Sequence, residues 1–210
     1  MLYLALVVLP ASAQVLYDNG PINGTVDGWN INYGIIVSDT FTLSKNSTVN
    51  SFNFGVFEFP GDTMTSVDWS ITSAENGGTV FGSGTASGAN LTDTFVSTNQ
   101  FGFNIHDVTV SGLNVGLTNP TYWLNLANAS APSRDPFYWD ENSGVGCDGS
   151  GGGANCPSLA SENEVGTMPS ESFTINGNSG SGGTTPEPGS FVLWASSVLG
   201  LAGLLRRRWF

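Results

Sequence analysis

Positive charge is scarce in this 210-residue chain: five Lys and Arg stand against 17 Asp and Glu, a net charge of −12. Only 10% of residues are charged, where an ordinary soluble protein has about 25%. Three of the five cations are Arg206, Arg207 and Arg208, so residues 14–185 hold 16 acids and two bases, Lys45 and Arg134. A phosphate-reading surface needs clustered Lys and Arg, and this stretch has none, which excludes nucleic acid as a partner. Histidine is scarcer still. His106 is the single imidazole and Cys147 and Cys156 are the only thiols, too few nitrogen and sulfur ligands for a zinc centre. No G-x-S-x-G nucleophile elbow occurs, and His106, followed by Asp107, reads as a surface or turn residue. A sustained helical period is also missing. Few Lys, Glu and Arg beside 28 Gly argue against a helical bundle.

What the chain does have is hydrophobic content of 40%, with 11% aromatics and six Trp, which excludes disorder. Between residues 14 and 176 the apolar pattern has period 2. Ile35, Val37, Phe41 and Leu43 share one face, Phe52, Phe54 and Val56 another, and Val67, Trp69 and Ile71 alternate with polar neighbours. Further strands are expected at 79–85, 91–96, 122–126, 137–139 and 173–175. Phe101, Phe103 and Ile105 form one face before the parity shifts to Val108 and Val110, which predicts a bulge or turn near His106 and Asp107. Turn signals such as Asn76-Gly77-Gly78 and Pro60-Gly61-Asp62 separate the runs. Eight to ten short strands predict an all-β fold, a two-sheet β-sandwich of jelly-roll or immunoglobulin-like type.

Both ends read as addresses. The apolar residues 1–13, closing on Ala11-Ser12-Ala13, fit a secretory signal peptide whose basic n-region is missing, so that the true start is expected upstream. At the other end, the Gly/Ser/Thr-rich stretch 177–185 reads as a linker. Pro186-Glu187-Pro188 follows, then the apolar run 189–205, then Arg206-Arg207-Arg208. Seventeen residues of helix would span about 26 Å, the short end of a bilayer crossing, and the arginines would hold the C-terminus in the cytoplasm. This order, over about residues 185–210, resembles the PEP-CTERM sorting domain of exosortase substrates. The resemblance implies Sec export, transient anchoring in the inner membrane of a Gram-negative-type envelope, and exosortase cleavage near Pro186, Glu187 and Pro188. Delivery to the cell surface or extracellular space would follow.

Within the ectodomain, Cys147 and Cys156 read as a disulfide in an exported protein, closing a loop worth about 3 kcal/mol. Asp18, Asp140 and Glu141 stand on turns that offer oxygen ligands for a structural calcium, without EF-hand spacing; no other cofactor is expected. A glycosidase would need two carboxylates across a cleft, and Glu58, Asp62, Asp140 and Glu141 are the residues for that reading. The sequons at Asn23, Asn46, Asn90 and Asn128 are no more frequent than chance gives. The aromatics are more informative. Trp123 falls opposite Tyr122, Leu124 and Leu126, while Tyr138 and Trp139 adjoin Asp140, a flat platform beside oriented polar groups of the kind that stacks on sugar rings. The leading expectation is a non-enzymatic surface or matrix protein of a biofilm or exopolysaccharide layer. Its alternatives are a carbohydrate-binding module using Trp123, Tyr138, Trp139 and Asp140, and a glycoside hydrolase.

Overall fold

A computed structural model describes residues 13–25, 27–118, 121–142 and 159–180. These form β1 (Gln14–Asp18), β2 (Gly28–Asn30), β3 (Ile36–Thr42), β4 (Ser47–Glu58), β5 (Ser66–Ala74), β6 (Gly77–Ser87), β7 (Leu91–Thr98), β8 (Asn104–Val110), β9 (Val115–Leu117), β10 (Thr121–Ser130), β11 (Tyr138–Asp140), β12 (Ala160–Glu162), β13 (Gly166–Met168) and β14 (Phe173–Ser179). The one helical turn among them is the 3-10 segment Gly88–Asn90. The all-β, two-sheet expectation holds.

The long strand β4 organises the first sheet. One of its edges pairs with β14 and then β11, the other with β9 and β8. β1, β2 and β7 extend these to eight strands. The second sheet runs β13-β12-β3-β10-β5-β6. Alternation decides what each sheet buries. Phe52, Phe54 and Val56 of β4 face the same way as their partners Ile175, Phe173 and Trp139, and all six are 0% exposed. Opposite them stand Val37, Phe41, Tyr122, Leu124, Leu126 and Ile71, aligned through the β3–β10–β5 register. Ring contacts join the layers: Phe52 with Trp69 at 6.0 Å and Phe41 with Phe173 at 6.5 Å. Burying this apolar area is the main stabilising term of a sandwich-like arrangement.

Close approach of strands sets one residue choice. A Cβ on Gly177 would lie 2.0 Å from the backbone oxygen of Thr48, where β14 shifts register against β4. Gly177→Ala is expected to destabilise by about 1–3 kcal/mol through forced backbone movement, read as a lower urea midpoint at unchanged slope.

Several expectations are corrected. Among the described residues no helix is long and apolar enough to cross a membrane, and the run 189–205 expected to do so lies outside them, as do Pro186, Glu187, Pro188, Arg206, Arg207 and Arg208. The anchored stage in the inner membrane, the exosortase partnership and the surface-sorted destination therefore find no support in this fold and are set aside. No disulfide is found among the described residues, and Cys147 and Cys156 also lie outside them. β14 continues to Ser179, into the stretch expected as linker. No bulge occurs in β8 against β4, whose pairing runs unbroken from Phe52↔Val110 to Glu58↔Asn104; the irregularity lies in β7, between Phe95 and Ser97. The parity shift has another cause. Ile105 is buried on the outer face, against Gly24 and Phe57, while His106 takes an inner position beside Val56.

Candidate functional site

A cleft lies on the outer face of the first sheet. Because Trp139 pairs with Val56 and turns inward, its neighbour Tyr138 pairs with Phe57 and turns outward. The β7–β8 turn brings two more rings. Asn99 Oδ1 accepts hydrogen bonds from the backbone N–H groups of Phe101 and Phe103, both 3.0 Å, and Gly102 takes φ +86°, a conformation that favours glycine. The resulting cleft has a volume of about 330 Å³ and is lined by Asp27, Gly28, Phe57, Phe101, Phe103 and Tyr138. Its rings form a connected set, with Phe103 at 5.8 Å from Tyr138, 5.9 Å from Phe57 and 5.0 Å from Phe59. Phe57 is the buried floor and Phe101 the exposed wall, at 57% exposure. Burial, and then the neighbouring Tyr33, push the Tyr138 hydroxyl above its ordinary pKa, so it stays a protonated donor. Asp27 is exposed at the rim.

The residues expected to touch glycan are thus divided. Tyr138 is in the cleft. Trp139 is 0% exposed, packed against Phe54 and Phe173 with its Nε1 donating to the Ser172 carbonyl at 2.9 Å. Asp140 is also 0% exposed. Its carboxylate accepts from the N–H groups of Asn23 and Gly24 and from Ser172 Oγ, at 3.0, 3.1 and 3.2 Å. Trp123 does point away from the core, half-buried on the outer face of the other sheet. Next to it Asn125 joins Ser38 and Thr72.

The calcium expectation is not assembled. Asp18 is exposed and accepts from the Gly20 N–H. Asp140 is occupied by the three donors above, and Glu141 Oε1 accepts from Trp29 Nε1 at 2.8 Å. Burial pushes Asp140 up to about 6, although its backbone donors oppose the shift; Glu141 is raised for the same first reason. Glu171 is 0% exposed with neither carboxylate oxygen hydrogen-bonded. Burial, then Asp39, Glu141, Asp140 and Asp27, hold it well above the usual carboxylate range.

A second group was missed because its members are far apart in sequence. Glu58 and His106 point into the interior at one end of the first sheet, and Asp93 of β7 joins them. Their ligand atoms lie within 4.8 Å of one another, the one such trio among the described residues. His106 Nδ1 contacts Asp93 Oδ1 and lies 3.6 Å from Glu58 Oε2, while Asp93 Oδ2 accepts from the Met64 N–H at 2.7 Å. His106 is therefore buried, at 7% exposure, and not the surface residue its polar neighbours suggest. Burial first, and then the charges of Asp93 and Asp62, push Glu58 up to about 9. Of the four residues considered for glycoside hydrolysis, Glu58 and Asp62 belong near this inner group. Asp140 lies beyond the outer side of Gly55, so the four do not face one cleft.

No protein-family model matches the chain, and no characterised protein is significantly similar to it.

Proposed function

We propose that this domain is a carbohydrate-binding module that engages a glycan at the cleft of Tyr138, Phe101 and Phe103. The observation that carries the reading is the connected set of rings lining a surface cleft with an acidic rim. Its volume of about 330 Å³ is at the small end of ligand sites, which run from about 300 Å³. An apolar ring face stacks on the C–H face of a pyranose, and a few polar groups fix its orientation. The Tyr138 hydroxyl and the Asp27 carboxylate supply a donor and an acceptor. The excess of acids over bases favours a neutral polymer, since an anionic one meets repulsion that only a bridging cation relieves. Binding rather than catalysis fits a cleft in which Asp27 is the one carboxylate among the described lining residues, because the two-carboxylate mechanism needs a facing pair.

Affinity electrophoresis against neutral glucans, xylan, mannan and chitin fragments tests this. At least one polymer is expected to retard the wild type, and Tyr138→Ala to weaken binding by about 1–3 kcal/mol, the range of a stacked aromatic contact. The melting temperature should change little, because Tyr138 is on the outer face. Lack of retardation by every polymer, or unchanged retardation of Tyr138→Ala, would overturn the reading.

A further inference from the structure

Behind the cleft, on the opposite face of β4, the chain has gathered groups whose chemistry asks for a partner. Glu58 is 0% exposed and receives no hydrogen bond from a donor group; what stands beside it is the Asp93 carboxylate and His106 Nδ1, 3.6 Å away. His106 Nε2 and Asp62 Oδ2 are also buried without a hydrogen-bond partner. Lys45 and Arg134, the two cationic side chains of the described residues other than His106, form no ion pair with a described carboxylate. An uncompensated buried carboxylate costs several kcal/mol, so a cluster of this kind is held either by protons or by a cation.

From the donor set we infer that Glu58, Asp93 and His106 bind one divalent transition-metal ion, with Zn2+ the best fit. The three residues come from β4, β7 and β8, and so fix one point in space from three adjacent strands. Their ligand atoms, all within 4.8 Å of one another, are spaced to surround one ion. The shortage of His and Cys that argued against a zinc centre left carboxylate ligands out of the count: one imidazole nitrogen with carboxylate oxygens suits Zn2+ or Mn2+, whereas Ca2+ takes six to eight oxygens and no imidazole. Such an ion would cross-link β4, β7 and β8 where Phe57 and Phe103, on the other face, begin the glycan cleft. The site is structural in character and stands whether or not that cleft binds sugar.

The full-length protein, stripped with EDTA, is titrated with Zn2+, Mn2+ and Ca2+ by calorimetry, with bound metal counted by mass spectrometry. One Zn2+ or Mn2+ per chain and a higher melting temperature are expected. His106→Gln and Asp93→Asn should each lower affinity about a hundredfold or more, since even outer-sphere partners are worth tenfold to a hundredfold. Asp107→Asn, whose side chain is on the outer face, should leave affinity unchanged. If either ligand variant fails to fold, X-ray absorption of the Zn2+-loaded wild type decides. A shell of imidazole nitrogen and carboxylate oxygen at about 2.0–2.2 Å supports the site; sulfur scattering from Cys147 or Cys156, or an oxygen-only shell, overturns it. Binding of Ca2+ alone, no saturable binding, or full affinity in folded ligand variants would also overturn it.

Discussion

Lowering the pH from about 8 to about 4.5 in the presence of EDTA is expected to raise the melting temperature by about 4–8 °C. Most proteins lose stability on that path because their carboxylates are paired with cations. Here Asp140 and Glu171 are in no ion pair with a described cation, and burial raises both. Asp140 is pushed from 3.8 to about 6, and Glu171 is held well above 4.5. In both cases the folded state binds a proton that the unfolded chain has already released. Stability is then fully present below the unfolded value near pH 4 and is lost as the pH rises through the folded one. For Asp140 the window is about pH 4 to 6; the full shift of about two units corresponds to about 3 kcal/mol, of which about 2 kcal/mol is regained by pH 4.5. At about 2–4 °C per kcal/mol for a chain of this size, that residue alone gives the range stated; Glu171 acts in the same direction and extends the window upward.

Glu171→Gln separates this from a general charge effect. Neither Glu171 oxygen accepts a hydrogen bond, so the amide removes the titration while no hydrogen bond is lost. The variant should melt higher than the wild type at about pH 8 and show a flatter slope toward acid, because the proton it no longer binds is the one being lost. A wild-type melting temperature that is flat or rises between about pH 4.5 and 8 would show that these carboxylates are compensated in solution.

The same residues show how far the sequence could be read. Strands with several alternating apolar residues were legible: β3, β4, β5 and β10 each carry enough of one period to fix which side is inside. β2, β9, β11, β12 and β13 are three residues each, too short for alternation to define a phase. That is why Tyr138 and Trp139 read as one platform although the pleat must send them to opposite faces. Asp39 breaks the polar-outside rule from within a well-phased strand. It shares the inner face with Val37 and Phe41, and its Oδ2 accepts from Asn19, Ser170 and the Glu171 N–H, a set of partners drawn from both ends of the domain. Phe101 and Phe103 alternate as a strand would, yet Gly102 and the Asn99 cap make them a turn. The Glu58–Asp93–His106 group depends wholly on register between β4, β7 and β8. Only the polar residues at the ends of those strands hinted at it.

Trp139→Ala is expected to lower folding stability by about 3–5 kcal/mol, the range for a large aromatic truncated in a packed core. The ring is 0% exposed and packs edge-on against Phe54 at 6.0 Å and Phe173 at 5.8 Å, so the void opens at the seam between β4, β11 and β14. Loss of the Nε1–H donor removes one of two bonds to the Ser172 carbonyl, which still accepts from the Gly55 N–H at 3.2 Å, so the cost is carried by the void rather than by an orphaned acceptor. Against a total stability of about 5–15 kcal/mol, the variant would be near its unfolding threshold at growth temperature. Its neighbour makes the contrast: Tyr138→Ala removes a ring from the outer face and should change the urea midpoint little while abolishing most glycan retention. Trp139→Phe, which keeps an aromatic in the same slot, should recover a large part of the loss. Urea unfolding of the three variants at constant slope measures this. Equal midpoints for Trp139→Ala and Tyr138→Ala would mean that the pleat at β11 does not divide these side chains between core and cleft.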